Sequence, residues 1–144
     1  MSYFKDFKIK SIHMGRFKKG SDLLLSINNF IMEQNIVSGR VEAIGALSKA
    51  AVGYYDQIKL EYSTVNINQA VEITSLSGNI SIKDGSPFTH CHITVADSKG
   101  MVMGGHLMEG CQIYALEFMI FSFEGEPFIR ELDQETKLSL WKIE

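Results

Sequence analysis

Three of the chain's four histidines fall within PFTHCHITVADSKGMVMGGHL, residues 87–107. His90 and His92 are one residue apart, and His106 follows a glycine pair beyond an Asp-Ser-Lys-Gly turn signal. Neutral imidazoles are the side chains that most often hold first-row transition metals. The question is whether these three can meet at one ion.

Side chains alternate between the faces of a strand, so FTHCHITVA read as a strand puts His90 and His92 on one face, about 6.6 Å apart, and turns Cys91 away. The place of His106 depends on hairpin register, because a slip of one residue moves it across the sheet. A two-residue loop, Ser98-Lys99, would set His106 opposite Cys91. A three-residue loop, Ser98-Lys99-Gly100, pairs Asp97 with Met101 and His106 with His92, and puts a glycine where such a loop needs left-handed backbone. The second register is the expectation, with no bulge at the glycine pair and with Gly104 and Gly105 leaving space beside the site.

Three imidazoles without a fourth protein ligand describe an open site for one divalent ion per chain, whose last position takes water or a small anionic ligand. Zinc, copper, nickel and iron all accept such a set. The plainer alternative is three partly buried histidines bonded to nearby carbonyls or carboxylates. Around the cluster, Glu109 follows His106 closely and could reach metal-bound water, although MEGC also reads as a turn. Glu117 lies among apolar neighbours in IYALEFMIF, so it is expected to be buried and paired, with Arg16 as the candidate partner. His13 lies far from the cluster on a basic strand and is read as structural or exposed.

The elements that must position these residues are mostly strands. FKIKSIHMG alternates from Phe7 to His13, with Phe7, Ile9 and Ser11 on one face. One convincing helix follows in GSDLLLSINNFIMEQN: Ser21 is the expected cap, Asp22 suits the positive end of the helix dipole, Leu23, Leu24, Ile27, Phe30 and Ile31 form an apolar stripe, and Asn35 ends it. From Gly39 onward, short apolar or alternating runs are separated by Gly, Asn or Asp, which reads as successive hairpins. KLSLWKI is an edge strand, with Trp141 a packing residue. The fold class is α+β: a largely antiparallel sheet with one main flanking helix.

A chain of 144 residues with 45% apolar content is long enough for one buried core, and residues 1–144 are read as a single domain. No apolar run approaches the roughly 20 residues that span a bilayer, and MSYFKDFKIK lacks the apolar centre of an export signal, so a cytoplasmic protein without membrane partners is expected. Cys91 and Cys111 are then free thiols. The net charge of -3 hides a basic start, Lys5, Lys8, Lys10, Arg16, Lys18 and Lys19 against Asp6 within residues 1–20. Such a segment can touch phosphates, but a chain of pI near 5.8 lacks a broad basic footprint.

GRVEAIGALSKAAVGYYD, VEITSLSGNISIKDGSPFTHCHITVADSKGMVMGGHLMEGC and YALEF together resemble the plant and prokaryote conserved domain, over about Arg16 to Phe123. The specific part is the ordered set of Ser75-Leu76-Ser77-Gly78, the His-Cys-His strand and Gly104-Gly105-His106-Leu107. The resemblance implies a sheet of about seven strands with a flanking helix, assembled as a homotrimer. It also implies, for the stand-alone prokaryotic branch, a metal, commonly zinc, at His90, His92 and His106. The family's DNA-binding label implies DNA as a partner. Without an Arg-Gly-Arg-Pro hook, such binding would have weak sequence preference and strong salt dependence. Two functions follow. One is a DNA-binding or regulatory module carrying a zinc site; the other is a hydrolase or lyase acting on a small substrate through metal-bound water, with Glu109, Glu117 or Asp97 as the acid or base.

Overall fold

The computed structural model describes residues 3–143. In chain order the elements are β1 (Lys8–Arg16), α1 (Leu23–Glu33), β2 (Gly39–Asp56), β3 (Glu61–Ile67), β4 (Val71–Lys83), β5 (Ser86–Ala96), β6 (Val102–Leu107), β7 (Gln112–Glu124), β8 (Ile129–Leu132) and β9 (Ser139–Trp141). The nine strands among the described residues exceed the seven expected. β8 and β9 lie beyond the segment that carries the family motifs.

All strands join one sheet in the order β1-β7-β2-β6-β5-β4-β8-β9, with β3 also on β2. Every pairing is antiparallel except β4 with β8. The long strand β2 pairs along its first half with β4 and at Val52–Gly53 with β6, so β2, β6, β5 and β4 close a circuit. Closure removes two otherwise open edges beside the histidine hairpin.

The helix begins one residue later than its expected cap. Asp22 caps it, its Oδ1 accepting from Leu25 N at 3.0 Å, while Oδ2 accepts from Gly110 N at 2.7 Å. Ser21 instead turns back and donates to Lys18 O. The carboxylate wins because one side chain satisfies the free helix amide and ties the β6–β7 turn. At the other end Asn35 takes left-handed backbone, φ 52°, just past the cap Gln34. Leu23, Ile27 and Ile31 are fully buried and share the core with Cys91, Ile93, Val95, Leu107, Ile113 and Ile120.

The first strand departs from simple alternation. An irregularity between Ile9 and Ser11 leaves Ile9 more than half exposed, so Phe7, Ile9 and Ser11 do not form one buried face. Farther along, His13 is half-buried, accepts or donates at Ser11 Oγ and packs edge-on against Phe30. Trp141 stacks on Phe128 at 4.2 Å, which is a packing role.

Candidate metal centre

The β5–β6 hairpin has the three-residue loop. Asp97 N donates to Met101 O, Asp97 Oδ1 accepts from Lys99 N and Met101 N, and Gly100 has φ 76°. The ladder then runs Ala96↔Val102, Val95↔Met103, Thr94↔Gly104, Ile93↔Gly105 and His92↔His106 without a shift. His106 therefore stands directly opposite His92, and His90 lies two residues along the same face.

On β5 the odd positions Thr89, Cys91, Ile93 and Val95 are buried, which commits His90 and His92 to the other face. Gly78 on β4 makes this close packing possible. A Cβ there would lie 2.2 Å from Cys91 Sγ and 2.3 Å from His90 O. The glycine pair has a different use from the one expected: a Cβ on Gly104 would meet Ile93 O at 2.4 Å and one on Gly105 would meet Gly53 O at 2.6 Å. These glycines let β6 fit between β5 and β2; they do not open room at the histidines.

The three rings converge. Centroid separations are 5.2 Å for His90–His92, 5.0 Å for His90–His106 and 5.7 Å for His92–His106. One nitrogen from each ring lies within 4.8 Å of the other two. A tetrahedral ion with nitrogens at about 2.0–2.1 Å needs nitrogen pairs separated by less than this, so small rotations of the rings would close the set. Burial is the first cause that lowers the pKa of His90, to about 4, followed by His106, Arg130 and His92. Burial, then His92 and Arg130, lower that of His106. Both rings are thus neutral at pH 7 and present lone pairs.

One atom tests whether a cation fits. His106 Nδ1 is buried and has no hydrogen-bond partner among the described residues. A histidine kept only for packing would normally satisfy a buried ring nitrogen, whereas an unpartnered nitrogen on a ring beside two other imidazoles suits an ion. Cys91 is no ligand, since its thiol points into the core and burial pushes its pKa up to about 12. Cys111 is likewise a buried free thiol, exchanging contacts with Ala51 N and O.

The acidic candidates separate. Glu109 is exposed and lines a pocket of about 260 Å³ with His106, Thr89 and Asn28. Glu117 is exposed, not buried. It faces Arg16 across β1 and β7, yet no ion pair joins them among the described residues. The exposure of Glu117 follows from an extra residue, Tyr114, where β7 pairs with β2. It shifts the buried parity from Cys111 and Ile113 to Leu116, Phe118 and Ile120, and sends Glu117 outward. Asp97 is spent on its own loop.

A second cavity, of about 270 Å³, lies beside His90 and His106 and is lined also by Arg130, Lys83 and Tyr62. Arg130 was not singled out in the sequence.

The Plants and Prokaryotes Conserved (PCC) domain model matches residues 4–124. A solved metal-containing protein from Archaeoglobus fulgidus has 38% identity and a TM-score of 0.92, covering 99% of this chain and 100% of that one. A plant- and prokaryote-conserved protein from Pyrococcus horikoshii has 31% identity and a TM-score of 0.92, covering 99% and 98%. A protein from Bacteroides thetaiotaomicron described as a candidate DNA-binding protein has 25% identity and a TM-score of 0.86, covering 95% and 96%. Two Synechococcus proteins named bifunctional protein GlmU are 34% and 33% identical over 123 residues, 84% of this chain, but the match spans only 18% of their own length. No helix of the described residues is long and apolar enough to cross a membrane. With the family model covering most of its length and its motif glycines and histidines in one unbroken hairpin, the chain belongs to the Plants and Prokaryotes Conserved domain family.

Proposed function

We propose that this chain is a metal-binding regulatory module that holds one zinc ion on His90, His92 and His106 and assembles as a homotrimer. The observation that carries the reading is the convergence of three imidazole nitrogens within 4.8 Å, one ring having a buried nitrogen without a partner. The metal-containing relative from Archaeoglobus fulgidus adds support. The ion would supply Lewis-acid charge and an open coordination position. The chain's own residues keep His90 and His106 neutral by burial, fix the spacing of the three rings through the His92–His106 register and shelter one side of them with Tyr62, whose ring is 5.1 Å from His106.

Apolar side chains left on the surface favour assembly. Ile9, Ile12 and Met14 on β1 and Ile44 on β2 are each more than half exposed, and Met14 and Ile44 line one groove. Exposed Lys8, Lys10, Arg16, Lys18 and Lys19 favour DNA as a partner, as do the relatives described as candidate DNA-binding proteins. A second reading, a metal-dependent hydrolase or lyase, is favoured by Glu109, an exposed carboxylate with no ion pair among the described residues, in the pocket that His106 lines.

The test is zinc titration of the purified chain combined with sedimentation and DNA retention at 50 and 200 mM salt. The reading expects saturation at one zinc per chain, three chains per particle, and retention that collapses at the higher salt. Saturation well short of one zinc per chain would overturn it. His92→Ala should abolish zinc uptake and leave DNA retention unchanged; joint loss of both would tie the ion to DNA binding.

A further inference from the structure

The geometry points to an anion site in the cavity beside the three histidines, anchored by Arg130, that takes a small oxyanion-headed molecule, either a carboxylate or a phosphate. The inference deepens the metal reading, since an ion on the histidines would face the same space, but its anchor does not depend on that ion.

Arg130 is 8% exposed. Its Nε donates to Ser81 Oγ at 2.8 Å, Nη1 to Ser139 O at 2.9 Å and Nη2 to Asn79 Oδ1 at 2.8 Å. A guanidinium has five N–H groups, so two remain. All three acceptors are neutral, and no carboxylate pairs with Arg130 among the described residues. Its sequence neighbour Glu131 is taken by Lys142 at 3.1 Å. A buried cation without a counter-charge is unfavourable, and a bound anion would relieve it.

The surroundings agree. Lys83 and Lys137 line the same cavity, and among the described residues no acid does. Lys83 is held over the Phe88 ring at 5.0 Å. An arginine fork matches the paired oxygens of a carboxylate or phosphate better than a lysine does. Phe88, Leu138 and Leu140 supply the apolar part of the lining, and the volume of about 270 Å³ is at the small end of ligand pockets. A short organic body with one charged head fits those walls. Arg130 is also a clamp, with the Phe88 and Trp141 rings 5.5 and 5.6 Å away. Clamping explains its hydrogen bonds, but not three cations around one cavity with no acid among its described lining residues.

The test is calorimetric titration of propionate and of inorganic phosphate into zinc-loaded and chelator-treated protein. Saturable binding of one of the two probes, one per chain, is expected, and the probe that binds more tightly names the head group. Arg130→Gln should weaken it by about tenfold or more while zinc per chain is unchanged. Because Arg130 also ties Ser139 and Asn79, a Lys83→Ala/Lys137→Ala double variant carries the test if that protein does not melt cooperatively. It too should lose about tenfold. No saturable binding of either probe by either form, or unchanged affinity in the variants, would overturn the inference. Zinc bound without anion binding defeats this inference alone; anion binding without zinc uptake defeats the metal reading alone.

Discussion

The hairpin of β5 and β6 and the pairing of β7 with β2 treat the same rule of alternation in opposite ways. In the hairpin the ladder runs unbroken from a turn of defined type to His92 and His106, so each side chain's face follows from counting. Along β7 the count slips at Tyr114, beside Gly45, whose φ of 145° places its missing Cβ 2.2 Å from Ala115 O. Every residue beyond the slip changes face, and Glu117 is delivered to solvent. One region therefore yields a converged cluster, and the other leaves its acid on the solvent face. The difference lies in whether one extra residue interrupts the ladder.

That contrast is open to attack at both ends. The largest effect is expected at His106, where His106→Ala should weaken zinc binding by at least about 100-fold in a competition titration, while Glu117→Gln should leave it unchanged. Equal losses in both variants would erase the distinction between the two regions. Next comes Gly78→Ala, whose new methyl would collide with Cys91 Sγ and His90 O. It should destabilise the fold by about 1–3 kcal/mol, read by thermal or urea unfolding, and loosen zinc as β5 moves. A neutral Gly78→Ala would mean that the packing behind the histidines is slack.

A smaller effect is expected from pH. The pKa of His90 is depressed in the folded chain, to about 4, so the unfolded chain takes up its proton first as pH falls. The contribution to stability is complete above about 6.5 and is lost as pH falls from there to about 4. The melting temperature of chelator-treated protein should decline through that window, and the decline should shrink in His90→Gln. The smallest effect belongs to Arg16 and Glu117: a double-mutant cycle should give a coupling below about 0.5 kcal/mol, as for exposed pairs generally. A larger coupling would return the pair to a structural role.

Local chemistry made the histidine hairpin legible. Asp97 and Gly100 define the loop, and the buried odd residues of β5 fix the remaining face. The helix was legible from its stripe, and its cap was misplaced by one residue because the deciding contact, Asp22 to Gly110, crosses 88 positions. Glu117 was misread for a related reason. In an apolar run such as YALEFMIF both faces look alike, so only the pairing with β2 shows where the slip falls. Arg130 reaches Asn79 across 51 positions, and no local pattern announces that partnership.

The most direct measurement is the metal content of protein purified without chelators or affinity metals, determined by inductively coupled plasma mass spectrometry. Convergence of the three imidazoles as a binding site predicts a ratio near one zinc per chain. A ratio below about one-third, unchanged after incubation with zinc and desalting, would contradict it and leave the three rings as packing residues.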